Sequence, residues 1–137
     1  MRNKIYFIIF LSFIFFVLDR LIKKIILFRG GFLFFKLIKN PYFIFLFRGK
    51  IFYFFILIIL LIIIFFIIRS YQIKNFSNFF LLSLIFAGGF SNFLDRLFYG
   101  FVIDYFEFFS LFTFNLADVM ILFGSIFFLW QLFKIKK

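Results

Sequence analysis

Four long apolar stretches constrain the fold of this chain more than any other feature of its sequence. They lie at about residues 5–28, 51–68, 75–94 and 115–133. A helix needs about 20 residues to cross the hydrocarbon core of a bilayer, so stretches of this length are candidate spans. The sequence therefore predicts an all-α integral membrane protein with four transmembrane helices in one domain, residues 1–137. Because successive spans alternate in direction, the connections at about 29–50 and 95–114 are expected on the same side of the membrane.

The composition agrees with a membrane protein and excludes two other classes. Hydrophobic residues make up 67% of the chain and charged residues 15%, whereas soluble domains carry about 45–50% and about 25%. A small soluble enzyme could not cover so much apolar surface, and a disordered chain would be far more polar. The formal net charge is +11. Because the basic residues flank apolar stretches, membrane lipid is the expected anionic partner, and no nucleic-acid binding is predicted.

Two residue types that carry much of enzyme chemistry are missing, since the chain has no cysteine and no histidine. This excludes disulfides, a thiol nucleophile and the Ser-His or Cys-His pairs of many hydrolases. A zinc ion would find only carboxylate ligands, which suit it poorly, and no metal or other cofactor is predicted. Any hydrolytic chemistry must therefore use Asp, Glu, Lys, Ser, Tyr or the backbone.

The first apolar stretch also has features of a signal peptide, because Arg2 and Lys4 precede its apolar core. No small-residue cleavage site follows, and the core runs directly into Asp19 and Arg20, so a retained helix is expected. The charge rule does not decide the orientation of the helices, since both faces would carry many basic residues.

The five acidic residues are the most informative in the sequence. Each lies at the end of an apolar stretch or in the connection that follows the third one: Asp19, Asp95, Asp104, Glu107 and Asp118. The predicted topology puts all five on one side of the membrane. A carboxylate at the centre of a membrane helix costs about 2.5–3.5 kcal/mol on insertion scales, so such groups usually pair or function.

An Asn-x-x-Asp motif occurs twice, as Asn92–Asp95 and as Asn115–Asp118. The spacing puts both side chains of each motif on one helix face, where an amide can hold a carboxylate. The alternative is an ordinary helix end, where Asn and Asp are favoured as caps. Two copies at the edges of one connection favour a site.

Two other motifs are interpreted as structural. Asp19 and Lys23 are four residues apart on the first predicted helix, which indicates an ion pair that supports the fold. The pair Gly88-Gly89 in the third stretch is expected to let another helix approach closely.

The basic connection before the second helix is expected to form a small sheet or hairpin that helps to hold substrate. Residues 32–35 and 43–47 are rich in strand-favouring aromatic residues, and Lys39-Asn40-Pro41 between them is interpreted as a turn. The alternative is an irregular amphipathic loop.

Two segments resemble the signature of the signal peptidase II family, whose members are also called lipoprotein signal peptidases. The segments are AGGFSNFLDRLFYGFVID at Ala87–Asp104 and FNLAD at Phe114–Asp118, which is followed by Gly124. The Asp-x-x-x-Lys of residues 19–23 is similar to a further family motif. The resemblance covers all four apolar stretches in the right order.

The sequence departs from the family pattern at two places. Asn40 stands where the family has an Asn-x-Gly segment, but Tyr42 replaces the glycine. The connection from Asp104 to Asp118 is also several residues shorter than is usual in the family.

The resemblance implies a monomeric four-helix protein of the bacterial inner membrane with both termini in the cytoplasm. It also implies an aspartic endopeptidase that removes the signal peptide from lipidated prolipoproteins, on the N-terminal side of a diacylglyceryl-modified cysteine. The implied catalytic dyad is Asp104 and Asp118. The implied supporting or substrate-binding residues are Asp19, Lys23, Asn40, Asn92, Asp95, Arg96 and Asn115.

This mechanism needs only the residue types that the chain contains. Two carboxylates held close together cannot both ionise easily, so one keeps a proton. The ionised one activates water, and the protonated one donates to the scissile carbonyl oxygen. The alternative is a non-enzymatic membrane protein, either a small transporter or channel subunit with acids along an ion path or an assembly factor.

Overall fold

The structure, a computed structural model, describes residues 2–32, 35–41, 50–72, 75–109 and 111–135. It is mostly helical, and four helices occupy the positions of the four apolar stretches. They are α1 (Arg2–Arg29), α2 (Lys50–Gln72), α3 (Phe76–Tyr99) and α4 (Leu116–Ile135). The predicted set of four helices with a small β segment is confirmed.

Two of the helices are long and apolar enough to cross a membrane on their described residues alone, over Asn3–Arg29 and Phe76–Tyr99. The other two helices contain shorter apolar segments, Ile58–Ser70 and Leu116–Gln131. Many large apolar side chains point away from the protein. On α1, for example, Phe7, Phe10 and Phe13 each expose 60% or more of their surface. Such faces need an apolar surrounding, which agrees with a membrane location.

Helix α3 is the centre of the bundle, because it packs against α1, α2 and α4. Its ends are well defined by the local sequence. The side chain of Asn75 accepts a hydrogen bond from the amide of Asn78, which is the usual role of an N-cap. At the other end Gly100 takes a left-handed conformation with φ of 77°, and its N–H donates to the carbonyl of Arg96.

Glycine allows the close packing of α3 on α4. A Cβ on Gly88 would collide with the backbone carbonyl oxygen of Ala117, and Gly124 on α4 meets α3 in the same way. The expectation that a helix approaches closely here is confirmed for Gly88. Gly89 faces α2 instead, where a Cβ would lie at an ordinary 3.4 Å from Leu60.

Six short strands form three antiparallel pairs at one end of the bundle. The strands are β1 (Gly31–Phe32), β2 (Phe35–Lys36), β3 (Ile38–Asn40), β4 (Val102–Asp104), β5 (Phe106–Phe108) and β6 (Phe112–Phe114). Strand β1 pairs with β2, β3 with β4, and β5 with β6. The β3–β4 pair joins the two long connections, with Ile38 opposite Asp104 and Asn40 opposite Val102.

The predicted turn at Lys39-Asn40-Pro41 is wrong, because Lys39 and Asn40 lie in β3. The partner of this strand is β4, more than 60 residues further along the chain, so a local pattern could not reveal the pairing. The ends of the predicted strand at 32–35 lie in two different strands, since Phe32 in β1 is opposite Phe35 in β2. The predicted strand at 43–47 lies outside the described residues.

Candidate active site

Four of the five acidic side chains meet where the helices adjoin the strands. Asp19 lies on α1, Asp95 on α3, Asp104 at the end of β4 and Asp118 in the first turn of α4. The first three are fully buried, and Asp118 is partly buried. Glu107 is not in this group, since it pairs with the exposed Lys36 at 3.5 Å.

Lys23 binds two of the four carboxylates. Its Nζ lies 2.9 Å from Asp19 Oδ2 and 2.8 Å from Asp95 Oδ2, and it donates to Asn92 Oδ1 at 2.9 Å. The expected ion pair between Asp19 and Lys23 is therefore present, and it is shared with Asp95. An ammonium group has three donors, so this fully buried lysine uses all of them.

Arg20 completes the charge balance of this cluster. Its guanidinium pairs with Asp95 Oδ1 and also donates to the backbone carbonyl of Ser91 at 3.3 Å. Two carboxylates, Asp19 and Asp95, are thus matched by two cations, Arg20 and Lys23. Buried charges are tolerable when they are paired and hydrogen-bonded in this way.

Asp104 has a different set of partners, and those among the described residues are all neutral. Its Oδ2 accepts from Asn40 Nδ2 at 2.6 Å and from Thr113 Oγ1 at 2.9 Å, and its Oδ1 accepts from Asn115 Nδ2 at 2.9 Å. The β3–β4 pairing brings Asn40 to this carboxylate, and β6 brings Thr113.

Asp118 is held by amides as well. Its Oδ1 accepts from Asn92 Nδ2 at 2.7 Å, and its Oδ2 accepts from the backbone N–H of Asn115 at 3.1 Å. The N–H of Asp118 in turn donates to Asn115 Oδ1 at 2.9 Å. This reciprocal pair is a capping box, in which an N-cap side chain and the third residue of the helix satisfy each other's backbone N–H.

The two Asn-x-x-Asp motifs therefore have different structural roles. Asn115 caps α4 and at the same time reaches Asp104, so it joins Asp104 to Asp118 through one side-chain amide. Asn92 lies inside α3, where it caps no helix end and connects Lys23 to Asp118. A hydrogen bond of 3.2 Å from Asn115 Nδ2 to Asn92 Oδ1 links the two motifs.

The four aspartates fall into two electrostatic classes. Asp19 and Asp95 are each paired with a cation. Within the described parts of the chain, Asp104 and Asp118 form no ion pair with a lysine or arginine. Their described hydrogen-bond donors are all neutral, which sets them apart from the two carboxylates that are paired with cations.

Asp118 also opens onto an apolar groove of about 630 Å³ that runs along α4. Its walls are three phenylalanines of the β5–β6 hairpin and several α4 side chains: Phe108, Phe112, Phe114, Val119, Ile121, Leu122 and Ser125. An apolar substrate segment in this groove would have direct access to the Asp118 carboxylate.

Eight of the nine proposed site residues contact one another in this network: Asp19, Lys23, Asn40, Asn92, Asp95, Asp104, Asn115 and Asp118. The ninth is Arg96, which donates to the backbone carbonyl of Asn92 at 3.2 Å, one turn earlier in α3.

Four residues that contact the acidic side chains were missed in the sequence. They are Arg20, Ser91, Tyr105 and Thr113. Three of them directly adjoin residues that were singled out, since Arg20 follows Asp19, Ser91 precedes Asn92 and Tyr105 follows Asp104. Thr113 had no local signal, because strand β6 alone brings it to Asp104.

Helices with apolar outer faces and a buried carboxylate network at one end are typical of a helical membrane protein, which is the class of this chain. Comparison with solved structures agrees. Two structures of a bacterial membrane enzyme solved by the in meso method, at 1.9 Å and 2.3 Å resolution, match with TM-scores of 0.72 and 0.73. They cover 91% and 95% of this chain, and 91% and 89% of theirs, at 23% identity, which shows a shared fold.

The sequence comparison identifies the family. The sequence profile described as Signal peptidase (SPase) II matches residues 11–134, nearly the whole chain. This chain belongs to the signal peptidase II family, as the resemblance of its motifs predicted.

Three similar proteins are named lipoprotein signal peptidase. That of Wolinella succinogenes is 48% identical over 59 residues, that of Moorella thermoacetica 43% over 51 residues, and that of Buchnera aphidicola 38% over 63 residues. The alignments cover 41%, 37% and 43% of this chain. The chain spans 40%, 34% and 39% of the length of these relatives, in the same order.

Proposed function

We propose that this protein is an aspartic endopeptidase that removes the signal peptide from diacylglyceryl-modified prolipoproteins, cutting N-terminal to the lipidated cysteine. Asp104 and Asp118 are its catalytic dyad. The observation that supports this most strongly is the division among the aspartates. Asp104 and Asp118 share the Asn115 amide and have neutral partners, whereas Asp19 and Asp95 are paired with Lys23 and Arg20.

The proposed mechanism assigns one proton to the dyad. Because two neighbouring carboxylates cannot both ionise easily, one of them keeps a proton and the other is ionised. The ionised carboxylate takes a proton from water as the water attacks the scissile carbonyl. The protonated carboxylate donates to the carbonyl oxygen, and the pair titrates as a unit.

The supporting residues orient the two carboxylates of the dyad through hydrogen bonds. Asn40, Thr113 and Asn115 hold Asp104, while Asn92 and the Asn115 backbone hold Asp118. Donors that are already aligned lower the cost of reorganisation during the reaction.

The proposed substrate fits the groove beside Asp118. A signal peptide is apolar, and the diacylglyceryl group adds long hydrocarbon chains. The phenylalanines at 108, 112 and 114 offer an apolar wall to such a segment, next to the Asp118 carboxylate of the dyad. Other substrates, without an apolar segment, would leave this wall exposed to water.

The proposed setting is the bacterial inner membrane, with α1 to α4 all spanning it and both termini in the cytoplasm. The enzyme acts as a monomer on membrane-embedded substrate and needs no metal or cofactor. The strands and the site then lie at the extracytoplasmic face. This arrangement puts the carboxylates where water and an apolar peptide can meet.

The test is cleavage of a lipidated prolipoprotein by the detergent-solubilised protein. Asp104→Asn and Asp118→Asn should each abolish turnover, since Asn is nearly isosteric but cannot hold or donate the acidic proton. General acid–base roles contribute about 10²–10⁴-fold each, and the double variant should be scarcely slower than either single one because the two act together.

Asp95→Asn is the matched control for the dyad assignment. Its partners are Arg20 and Lys23, so the loss of its charge should act mainly on stability. If Asp104→Asn kept near-normal turnover while Asp95→Asn lost it, Asp95 with Asp118 would replace the proposed dyad. Wild-type protein that folds but does not cleave would favour the non-enzymatic alternative.

A further inference from the structure

The proposed mechanism assigns no role to the hydroxyl group of Tyr105. The side chain is 1% exposed, and it follows directly after Asp104 in the chain. Its hydroxyl donates to Asp19 Oδ1 at 3.0 Å and accepts from the backbone N–H of Leu116 at 2.9 Å. It therefore connects α1 to the first residue of α4.

These contacts belong to the N-terminal cap of α4. The first N–H groups of a helix have no partner within the helix and must find one elsewhere. Here Leu116 donates to Tyr105, Ala117 donates to Asp19 Oδ1 at 3.2 Å, and Asp118 donates to Asn115. Only the last of these caps is local in sequence, and the other two come from distant elements.

The chemistry of the hydroxyl fits this bridging role. A carboxylate can only accept, so the single hydroxyl hydrogen points to Asp19 and a lone pair is left for the Leu116 N–H. Burial, and then the negative charge of Asp19, raise the pKa of Tyr105 well above its usual range. The hydroxyl therefore stays protonated and keeps its donor.

Tyr105 is a second link between the two halves of the dyad, beside the direct one through Asn115. It is joined to Asp104 by one peptide bond. Its hydrogen bond to Leu116 holds the same helical turn that carries Asp118. A shift of this turn would move one carboxylate and leave the other in place.

We propose that Tyr105, acting with Asp19, is a positioning residue that sets the start of α4 and thereby the place of the Asp118 carboxylate relative to Asp104. This inference rests on the proposed function for its kinetic consequence. The structural part of it, the cap on α4, stands apart from any activity and can be measured separately.

The first measurement is hydrogen–deuterium exchange of the amides at residues 116–118 in Tyr105→Phe. The Phe ring keeps the packing of the Tyr105 ring against Phe35, at 5.8 Å between ring centroids, and only the hydroxyl is lost. We expect exchange in this turn to rise about tenfold or more, because local opening no longer breaks the bond to Leu116.

Ser91→Ala is the matched control for this exchange experiment. It also removes a hydroxyl donor to Asp19, but to Oδ2 at 2.6 Å, the oxygen that does not contact α4. Exchange at residues 116–118 should stay at the wild-type level. An unchanged rate in Tyr105→Phe, or an equal rise in Ser91→Ala, would overturn the proposal.

The second measurement is the kinetics of prolipoprotein cleavage, per molecule of folded protein. A misplacement of about 1 Å can cost on the order of 10²-fold in rate. Tyr105→Phe should therefore lower kcat about 10- to 100-fold while KM stays within about twofold, because no side chain that lines the groove is substituted. The exposed Tyr99→Phe should change neither constant.

The outcomes separate the two proposals. A normal kcat in Tyr105→Phe with raised exchange would overturn the positioning role. If the wild-type protein does not cleave the substrate, the proposed function is overturned instead. The exchange result would then still show whether Tyr105 caps α4.

Discussion

Lys23 shows how much of this site depends on a single charge. The ammonium is fully buried and donates to Asp19, Asp95 and Asn92. Each of these acceptors also holds another part of the molecule, since Asp19 caps α4, Asp95 accepts from the backbone N–H of Ile103 and Asn92 binds Asp118. Without this ammonium group, the negative charges of Asp19 and Asp95 would stay buried with Arg20 as their one described cation.

We expect Lys23→Met to lower the free energy of unfolding strongly. The change keeps most of the apolar stem but removes the charge, and breaking a buried pair costs about 3–5 kcal/mol because a charge is left uncompensated. Thermal unfolding in detergent measures the effect.

Lys36→Met is the control for this prediction, since Lys36 also pairs with a carboxylate but its side chain is 77% exposed. An exposed pair contributes about 0–1 kcal/mol. Equal losses of stability in the two variants would contradict the importance assigned to Lys23.

Helices α3 and α4 are packed together by glycine and held in register by the cap of α4. Gly88 and Gly124 let the two backbones approach, and the capping box of Asn115 and Asp118 sets where α4 begins. The close crossing brings Asn92 on α3 within 2.7 Å of Asp118 on α4. Helix packing and site geometry are thus coupled.

Gly88→Ala should destabilise the protein and weaken activity together. Its Cβ would meet the backbone carbonyl of Ala117, which cannot move without shifting α4. Overpacking of this kind costs about 1–3 kcal/mol. Unfolding and prolipoprotein cleavage, measured on the same preparations, test the coupling.

The neighbouring Gly89→Ala is the internal control. Among the described side chains its Cβ would meet only Leu60 Cδ2, at 3.4 Å, and alanine favours a helix interior by about 0.5–1 kcal/mol over glycine. We expect unchanged or slightly higher stability. A greater loss for Gly89→Ala than for Gly88→Ala would show that the α3–α4 crossing is misassigned.

At the scale of the molecule, the described residues keep a charged network inside and expose many large apolar side chains. Asp19, Lys23 and Asp95 are fully buried, while Phe133 on α4 and Phe65 on α2 are 71% and 64% exposed. This distribution suits lipid, in which the outer faces need no polar groups and the interior can retain a charged network.

The proposed topology predicts that the two ends of the bundle lie on opposite sides of the membrane. Because the chain has no cysteine, single-cysteine variants report one position each. Phe109→Cys, beside the strands, should react with an impermeant maleimide added outside intact spheroplasts. Ser77→Cys, at the start of α3, should react only after the membrane is opened.

Both positions are exposed in the folded protein, so differences in labelling report the side and not burial. Labelling of both variants from the outside, or of neither, would contradict four membrane spans with the site at the extracytoplasmic face.

Local patterns in the sequence were enough to predict the four helices, the acidic residues near their ends and the family. Apolar length predicts helices, Asn115 and Asp118 have the spacing of a capping box, and the motifs at Ala87–Asp104 and Phe114–Asp118 are contiguous. The pairing of Asp19 with Lys23 could also be predicted, because one helical turn brings them together.

The partners of the carboxylates could not be predicted in this way, because they depend on packing between distant elements. Lys39 and Asn40 lie in a strand and not in a turn, because β4 supplies hydrogen bonds from a distant part of the chain. Strand β6 brings Thr113 to Asp104, and Arg20 on α1 forms an ion pair with Asp95 on α3. Tyr105 and Asp19 cap a helix that begins 11 and 97 residues after them. Spacing along a helix shows which residues share a face, but which faces meet depends on how the helices and strands pack.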